Sequence, residues 1–399
     1  MLVERMRPFT STIFTEISRL AVETGAINLG QGFPDTDGPA SLLADAARNI
    51  TDAGRNQYPP GPGMIELREA VAAHRKRFYD LDVDPADVLV TVGATEAIAS
   101  TLLGLCTAGD EVVTFEPYYD SYAASVALSG ATLRTVRLHP GSFRMRSSHD
   151  APDFAFDPDE LRAAFSSRTK VVLVNTPHNP TGAVFSREQL TLIGELAAEF
   201  DAVVVTDEVY EHMTFDGTPH VPMATLPGMA ERTLTISSAG KTFSVTGWKV
   251  GWVHGPPELV GAARTVKQFL TFHGGAPLQP AVANALALDD AFYAGVISDL
   301  SRKRDLLSDG LRAAGFDVFA THGTYFVVVD ARPLGFDDGF DLAYRLPELC
   351  GVAAVPVSVF AGTPEGAEAM RPLVRFAFCK RDEVLTEAVE RLSGLRGKA

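Results

Sequence analysis

The chain has 399 residues, of which 46% are hydrophobic and 21% are charged. This length and composition allow a large core and suggest one large domain with a smaller one. Its formal net charge of −15 argues against nucleic acid or an anionic membrane surface as the main partner. We find neither a cleavable signal pattern nor the roughly 18 consecutive apolar residues of a membrane span, so we expect a soluble protein.

Three cysteines, Cys106, Cys350 and Cys379, are widely spaced and odd in number. This pattern fits neither a disulfide framework nor a metal-binding motif. We therefore expect the reducing cytoplasm as the compartment and no bound metal.

Two loops rich in glycine and proline follow a short amphipathic segment near the N-terminus. The first, residues 28–35, reads NLGQGFPD, and its glycines would let the backbone approach a ligand closely. A plain surface turn is the alternative interpretation. The second, residues 56–63, reads NQYPPGPG, which can form neither a helix nor a central strand and carries one tyrosine, Tyr58.

Short β-branched runs alternate with helical segments from residue 88 onward, which predicts a mostly parallel sheet covered by helices. Helix-start signals support this alternation, because Asp157 precedes Pro158 and Ser186 with Gln189 forms a capping box. The predicted strands are residues 88–93, 111–116, 170–176, 202–206, 233–237 and 251–254. Sheets of this kind bind ligands at the carboxyl ends of their strands.

Residues capable of chemistry follow five of these strands, where each strand ends. After the first, a glycine with Ala94 and Thr95 opens a helix, whose backbone N–H groups could bind a phosphate. After the others come the PYY run of residues 117–119, the NTPHNPTG run of residues 175–182, the DEVY run of residues 207–210, and Lys241.

Lys241 lies among small residues in SSAGKTFSVTGWKVGW, residues 237–252. A lysine packed into a strand-to-loop segment loses its proton more easily and becomes a nucleophile suited to an aldehyde cofactor. The AGKT run resembles the end of a phosphate-binding P-loop, but that motif needs a glycine at position 235, where the chain has Thr235. An ordinary structural lysine in a turn is the alternative from this stretch alone.

The pattern changes after about residue 285. A long helix is predicted over residues 293–314, ended by Gly315, and strands follow near residues 323–329 and 374–378. With a C-terminal helix from about Arg381, this region predicts a separate α+β domain.

Eight motifs in order give nearly the whole chain a resemblance to a known family: NLGQGFPD, NQYPPGPG, GATEA, EPYYDSY, NTPHNPTG, DEVYE, SSAGKTFSVTGWKVGW and VRFAFCK. They resemble the class I and II aminotransferases of fold type I, which use pyridoxal 5′-phosphate. The resemblance implies an α/β fold with a mostly parallel seven-stranded sheet flanked by helices, plus a smaller α+β domain. It divides the chain into an N-terminal arm with part of the small domain (1–40), a large cofactor-binding domain (41–285) and a small C-terminal domain (286–399).

The resemblance implies three catalytic residues. Lys241 is similar to the lysine that binds the cofactor covalently and moves a proton, and Asp207 to the acid that pairs with the pyridine nitrogen. A buried aspartate in an ion pair is the alternative for Asp207. Tyr210 and Asn179 are similar to the donors to the cofactor's phenolic oxygen, and Tyr119 to the residue that stacks on its ring. The implied residues around the phosphate are Gly93, Ala94, Thr95, Ser238, Lys249 and, from the second subunit of a homodimer with shared active sites, Tyr58.

The substrate residues also come from the resemblance. Arg375 is the implied ligand of the substrate carboxylate, because a planar guanidinium matches a carboxylate with two hydrogen bonds, and Gly32 and Asn179 would assist it. Phe14, Phe272 and His273 are implied to line the side-chain pocket, which suggests an apolar, aromatic or sulfur-containing amino acid; packing is the alternative for Phe14.

Lys249 departs from the aspartate aminotransferase branch, which usually has an arginine at this position. With GQGFPD and residues 272–273, it makes the chain more similar to the kynurenine, glutamine and methionine aminotransferase branch. The resemblance also covers actinobacterial N-succinyldiaminopimelate aminotransferases, whose substrate is anionic at its far end. That substrate would need a second cation.

The sequence thus predicts a cytoplasmic, homodimeric aminotransferase that moves an amino group from an L-amino acid to a 2-oxo acid in a ping-pong cycle. A cysteine-conjugate β-lyase or another carbanion-using enzyme with the same fold and cofactor is the alternative, because a fold does not fix its chemistry. A non-catalytic regulator would require an attached DNA-binding segment, and the sequence shows no such extra domain.

Overall fold

The computed structural model describes residues 2–51, 55–141 and 153–395. Helices and strands are numbered along the chain. The helices are α1 Ile13–Thr24, α2 Ala40–Thr51, α3 Ile65–Tyr79, α4 Gly93–Leu105, α5 Ser121–Ser129, α6 Pro158–Ala164, α7 Arg187–Glu199, α8 Ala239–Thr242, α9 Pro257–Leu270, α10 Gln279–Leu286, α11 Asp290–Ala314, α12 Gly339–Cys350, α13 Pro364–Ala369 and α14 Asp382–Ser393.

A large sheet carries the strands predicted between residues 88 and 254. In spatial order its strands are β2 Val88–Val92, β9 Val250–His254, β8 Thr233–Ser238, β7 Val203–Asp207, β6 Thr169–Asn175, β3 Glu111–Glu116, β4 Thr132–Pro140 and β5 Phe154–Phe156. Strands β8, β7, β6, β3 and β4 are parallel neighbours, whereas β9 is antiparallel to both β2 and β8, and β5 is antiparallel to β4. The sheet is therefore mostly parallel, as predicted.

The predicted strand count of seven differs from the observed sheet, which has eight strands because the short β5 adds to one edge. Neither β4 nor β5 was located from the sequence. Strand β4 reads TLRTVRLHP, and its first four residues are exposed or only partly buried. Two arginines in a half-exposed edge region weaken the apolar signal on which strand prediction depends.

The central strands are buried on both faces, which explains their uninterrupted apolar runs. Every residue of β3 and β8 is buried, and neighbouring valines in β6 pack into different core clusters, Val171 into one and Val172 into the other. Both faces of the sheet therefore contribute to the core, as expected for parallel strands between two helical layers.

A smaller antiparallel sheet follows in the C-terminal third. Its strands, in spatial order, are β10 Asp317–Val318, β11 Phe326–Asp330, β14 Leu373–Ala377 and β13 Val355–Pro356. A separate parallel pair joins β1 Ile27–Asn28 to β12 Val352–Ala353. The domain boundaries near residues 40 and 285 stay a prediction, and residues 1 and 396–399 of the predicted domains lie outside the described residues.

The predicted helix signals are present in the structure. Ser186 and Gln189 form the capping box at the start of α7, and Asp157 caps α6. The long predicted helix is α11, which begins three residues earlier than predicted, with Asp289 as its N-cap, and ends at Gly315, where φ is 108°. Within the described ranges, no helix is both long enough and apolar enough to cross a membrane.

Candidate active site

A pocket of about 270 Å³ lies where the carboxyl ends of the central strands meet the N-terminal loop and the small sheet. Thirteen of the predicted site residues line it: Lys241, Asp207, Tyr210, Asn179, Tyr119, Gly93, Ala94, Thr95, Ser238, Lys249, Arg375, Gly32 and Phe14. Because these residues come from positions 14 to 375 of the chain, only the folded arrangement brings them together.

Lys241 lies in the short helix α8, directly after β8. Its Nζ donates a hydrogen bond to the Tyr325 hydroxyl at 2.9 Å, and the side chain also borders the pocket. Burial lowers the pKa of Lys241 to about 8, although Cys379 and Asp207 act in the opposite direction. A substantial fraction of this amine is therefore neutral near physiological pH, which is the form that attacks a carbonyl carbon.

Asp207 is the last residue of β7 and faces the pocket. Its Oδ2 accepts a hydrogen bond from the Tyr122 hydroxyl at 2.6 Å, and the nearby Asn175 side chain donates to the Asp207 backbone carbonyl at 2.9 Å. Burial raises the pKa of Asp207, while the Tyr122 hydrogen bond and Lys241 act to lower it. The carboxylate therefore lies at a protein-enclosed wall where it can pair with a protonated ring nitrogen.

Arg375, in β14, is 1% exposed, and its guanidinium stacks 3.9 Å from the Phe326 ring centroid. Its two terminal nitrogens donate to Asn179 Oδ1 at 2.8 Å and to the Gly30 carbonyl at 2.9 Å. In the described part of the chain no carboxylate lies within ion-pair distance of this guanidinium, and burial lowers the pKa of Arg375 to about 10. Asp120 acts on Arg375 only from beyond ion-pair distance. A buried cation without an ion-pair partner provides a site for a ligand carboxylate.

Asn179 and Tyr210 stand between these groups. The Asn179 side-chain oxygen is occupied by Arg375, and its backbone N–H donates to Asn175 Oδ1 at 2.8 Å, so the remaining amide hydrogens are available to a ligand. Tyr210 is 2% exposed, and burial raises the pKa of its hydroxyl well above the ordinary value. This hydroxyl therefore stays protonated and can donate a hydrogen bond.

The start of α4 forms one end of the pocket. Gly93 has φ of +73°, and a Cβ added there would lie only 3.0 Å from Lys249 Nζ. The ammonium group of Lys249 thus lies above the first turn of a helix whose leading N–H groups have no partner within the helix. Together with the Thr95 and Ser238 hydroxyls at the pocket wall, this arrangement is suited to a phosphate.

The pocket residues fit an aromatic aldehyde that carries a phosphate. The amine of Lys241 can bind the aldehyde, the carboxylate of Asp207 can pair with a ring nitrogen, and the start of α4 can hold the phosphate. Tyr119 supplies an aromatic ring at the same wall. Arg375 remains for the carboxylate of a second molecule.

Three predicted residues lie outside this lining, and they form a separate aromatic cluster. The Tyr58 ring is 5.9 Å from Phe272 and 4.9 Å from His273. Tyr58 is 82% exposed and Phe272 is 45% exposed. Within one chain, these side chains do not contribute to the pocket that Phe14 borders.

Several residues of the site were not predicted from the sequence. Tyr122 and Asn175 lie inside the motifs that identified their neighbours, and the three-residue spacing from Tyr119 to Tyr122 in a helical turn could have indicated one shared face. Tyr325 gave no such local signal, because its contact with Lys241 joins positions 84 residues apart. The other unpredicted lining residues are Gln31, Phe33, Ile98, Val209, Gly240, Thr246, Val250 and Phe326.

Comparison with known proteins gives matches over almost the whole chain. The family model for aminotransferase class I and II matches residues 24–392. A Mycobacterium tuberculosis protein named probable N-succinyldiaminopimelate aminotransferase DapC is 51% identical over 99% of this chain and 98% of its own length. The Escherichia coli methionine aminotransferase is 38% identical over 96% of both chains.

The architecture agrees with these sequence matches. The solved structure of N-succinyldiaminopimelate aminotransferase from Mycobacterium tuberculosis superposes with a TM-score of 0.93 at 50% identity, covering 99% of this chain and 100% of that one. A Thermus thermophilus aspartate aminotransferase mutant gives a TM-score of 0.87 at 32% identity, with 99% of each chain covered. The chain has the fold type I architecture, belongs to the class I and II aminotransferases, and is a transaminase.

Proposed function

We propose that this transaminase uses pyridoxal 5′-phosphate bound covalently through Lys241. The observation that carries the proposal is the placement of a lysine with a lowered pKa, about 8, in the same pocket as the buried Asp207 and the unpaired Arg375. The family is pyridoxal-phosphate dependent, and the residues of this pocket fit that group. When bound, pyridoxal phosphate stabilises negative charge at the amino acid's Cα and carries the amino group from donor to acceptor.

The protein's own groups have distinct tasks in this proposal. Asp207 accepts the hydrogen bond of a protonated ring nitrogen, and Tyr122 holds its carboxylate in place through Oδ2. Tyr210 and the free amide hydrogens of Asn179 donate to the cofactor's phenolic oxygen. Lys241 Nζ, once released by the substrate amine, takes up and returns the proton that leaves the substrate carbon.

Substrate binding is assigned to Arg375 in both halves of the reaction. The amino donor and the 2-oxo acceptor each carry one carboxylate next to the reacting carbon, so a single buried guanidinium can hold either one. Gly32 lies close by, because a Cβ added there would come within 2.3 Å of the Phe326 ring beneath Arg375. The shared site explains a ping-pong cycle in which the first product leaves before the second substrate binds.

The proposed first donor is N-succinyl-diaminopimelate, because the relative with 51% identity is named for it. Apolar, aromatic and sulfur-containing amino acids remain candidates, since Phe14 and Phe33 line the pocket and the methionine aminotransferase is also similar. Besides Arg375, the cations on the described pocket wall are Lys241 and Lys249. These two are already assigned to the cofactor, so the distal carboxylates of a succinylated donor would be held by residues outside this wall.

A homodimer with shared active sites is the proposed assembly. Large apolar side chains are exposed close to the aromatic cluster along the chain: Phe269 is 83% exposed and Leu270 is 53% exposed, at the end of the helix that precedes Phe272. Such a patch is typical of a surface that a partner covers. In a dimer, Tyr58 would reach the phosphate end of the other subunit's pocket, and residues 272–273 would border its substrate side. The cytoplasm stays the proposed compartment.

Substitution of Lys241 tests the proposal directly. Lys241→Ala protein, purified with added pyridoxal phosphate, should lack the visible absorption of the lysine-bound cofactor and should lose transamination. Lys76→Ala provides a matched control, because this lysine pairs with Asp80 and Asp82 at the surface. Retention of both signals in Lys241→Ala would show that another residue carries the cofactor.

A panel of amino donors, each tested with 2-oxoglutarate or pyruvate as acceptor, then identifies the substrate. It includes N-succinyl-diaminopimelate, kynurenine, methionine and glutamine, and it follows conversion of the cofactor to its amine form. The relatives compared above are named for transamination, not for β-elimination. Release of pyruvate and ammonia from a cysteine conjugate without consumption of a 2-oxo acid would nevertheless reassign the reaction.

A further inference from the structure

Tyr325 forms a hydrogen-bonded bridge between Lys241 and the N-terminal loop. Lys241 Nζ donates to the Tyr325 hydroxyl at 2.9 Å, and this hydroxyl donates to the Gly32 carbonyl at 2.6 Å. A phenol has one hydrogen to donate, and a carbonyl can only accept. The Tyr325 hydrogen is therefore committed to Gly32, and toward Lys241 the hydroxyl can act only as an acceptor.

This polarity fixes the orientation of the free amine. In neutral Lys241 one N–H points at the Tyr325 oxygen, so the nitrogen lone pair cannot point there. Lys241 borders both the pocket and a smaller cavity of about 90 Å³, and Tyr325 and Cys379 line only the smaller cavity. The N–H is thus tied toward the rear of the site, and the lone pair is left to the pocket side, where an aldehyde or a substrate proton would be.

The groups around Lys241 favour this arrangement. The charged residues that act on it, Asp207, Lys249 and Arg375, all line the pocket. At the rear, burial raises the pKa of Cys379 to about 11 and that of Tyr325 well above its ordinary value, so both stay neutral. Asp299 and Lys303, which also line the smaller cavity, pair with each other at 2.7 Å.

We propose that Tyr325 is a positioning residue that orients the free amine of Lys241 toward the pocket and couples it to the Gly32 segment. The inference rests on the proposed role of Lys241 as the residue that binds the cofactor. The neutral Tyr325 hydroxyl accepts from Lys241 on the side away from the pocket and so orients the amine. The same hydroxyl donates to Gly32 and fixes the backbone segment beside Arg375. Loss of the bridge leaves the amine free to rotate, which lowers the fraction of molecules ready to react.

The test uses capture of pyridoxal phosphate by apoprotein, a readout that does not depend on turnover. Tyr325→Phe removes the acceptor and keeps the ring, and we expect the second-order rate of cofactor capture to fall about tenfold, the effect of losing one hydrogen bond. Tyr293→Phe is the matched control, because Tyr293 is also buried and its hydroxyl also donates to a backbone carbonyl, that of Leu286. This control should capture the cofactor at the wild-type rate.

A second readout separates positioning from a purely structural role. In the holoenzyme, Tyr325→Phe should lower kcat in both half-reactions by a larger factor than it raises KM for the amino donor, because Arg375, the main carboxylate ligand, is intact. Incorporation of 4-aminophenylalanine at position 325 keeps a donor for Gly32 but offers Lys241 a poor acceptor. Capture should then remain slow even though the loop is tied, and this variant also serves if Tyr325→Phe does not fold.

The outcomes distinguish this inference from the proposed function. If Lys241→Ala still captures the cofactor covalently, the proposed function itself is wrong. If Lys241→Ala fails to capture it while Tyr325→Phe captures it at the wild-type rate, only the inference is overturned. A lowered melting temperature with an unchanged capture rate would likewise assign Tyr325 a structural role alone.

Discussion

Among the arginines that the structure describes, two are almost completely buried, Arg75 and Arg375, and their surroundings differ in charge. Arg75, in α3, is 0% exposed and contacts Glu208 at 2.7 Å and Glu211 at 2.5 Å. Arg375, in β14, is 1% exposed and contacts an amide and a carbonyl. The carboxylates raise the pKa of Arg75 against the effect of burial, whereas burial lowers the pKa of Arg375 to about 10. Burial alone therefore does not distinguish these two arginines, whereas the presence of an ion-pair partner does.

Hydrogen bonds hold the acidic side chains around Arg75 in place, although its own buried Nε has no partner among the described residues. Glu211 also accepts from the Ser237 hydroxyl at 2.8 Å, and His74 shares a hydrogen bond of 2.7 Å with His212. His74, Glu211 and His212 have the residue types and spacing of a metal site, with ligand atoms within 4.8 Å of one another. Both Glu211 oxygens and the facing imidazole nitrogens are already bonded, so this cluster serves to tie α3 to the segment that follows Asp207.

The largest expected effect comes from removing the paired arginine. Arg75→Met leaves Glu208 and Glu211 buried without their main counter-charge, and we expect a loss of about 3–5 kcal/mol in the free energy of unfolding. Arg375→Met removes an unpaired buried charge instead, so its loss should stay below about 1 kcal/mol. Urea unfolding of the two apoproteins, followed by circular dichroism, measures the difference. Equal losses would mean that the charge environments do not distinguish the two sites.

The unpaired arginine should instead dominate substrate binding. Arg375→Lys keeps a positive charge but loses the planar pair of donors, and we expect kcat/KM to fall about 30-fold, which corresponds to about 2 kcal/mol. KM should rise for the amino donor and for the 2-oxo acid alike, because both use the same carboxylate site. Arg332→Lys, at a surface arginine paired with Asp330, is the control. A rise for only one substrate would contradict a shared site.

The sequence predicted several residues of the candidate site, but it did not predict why Arg75 and Arg375 differ. Strand ends indicated Lys241 and Asp207, because parallel strands place such residues at one end of the sheet. Arg375 was indicated only by the resemblance of its motif, VRFAFCK, and it lies within a strand of the small antiparallel sheet. The sequence could not show which buried arginine lacks a carboxylate, since the partners of Arg75 lie 133 and 136 residues away along the chain. Strand β4 was missed for a related reason, because its half-exposed sequence carries little apolar periodicity.

A smaller effect is expected from the hydroxyl that supports Asp207. Tyr122→Phe removes a buried hydrogen-bond donor to the Asp207 carboxylate. Because this hydrogen bond lowers the pKa of Asp207 and burial raises it, the pKa should rise further in the variant. A more readily protonated Asp207 pairs less well with a ring nitrogen, and the affinity for pyridoxal phosphate should fall by about 1 kcal/mol, or roughly fivefold. Equilibrium dialysis measures it, with Tyr118→Phe, a buried tyrosine outside the pocket lining, as the control. Unchanged affinity would assign Tyr122 to packing.

The smallest expected effect is a difference in how the stability of Lys241 and Arg375 variants depends on pH. The folded pKa of Lys241, about 8, lies below its ordinary value of 10.5, so between these values the unfolded chain binds more protons and stability rises with pH. Burying the charged lysine thus lowers the free energy of unfolding below pH 8, and this loss of stability diminishes as the pH rises from about 8 to 10.5. Lys241→Met apoprotein should therefore gain more in melting temperature over wild type at pH 7 than at pH 9.5.

Arg375→Met should show no comparable change over this pH range. The pKa of Arg375, about 10, lies above both pH values, so the guanidinium stays mostly charged in the folded chain and fully charged in the unfolded chain. The effect for Lys241 should be modest, because part of its side chain faces the pocket, where solvent screens the charge. A pH-independent difference for Lys241→Met would mean that this amine titrates as an ordinary lysine, and the argument for a reactive amine at neutral pH would then fail.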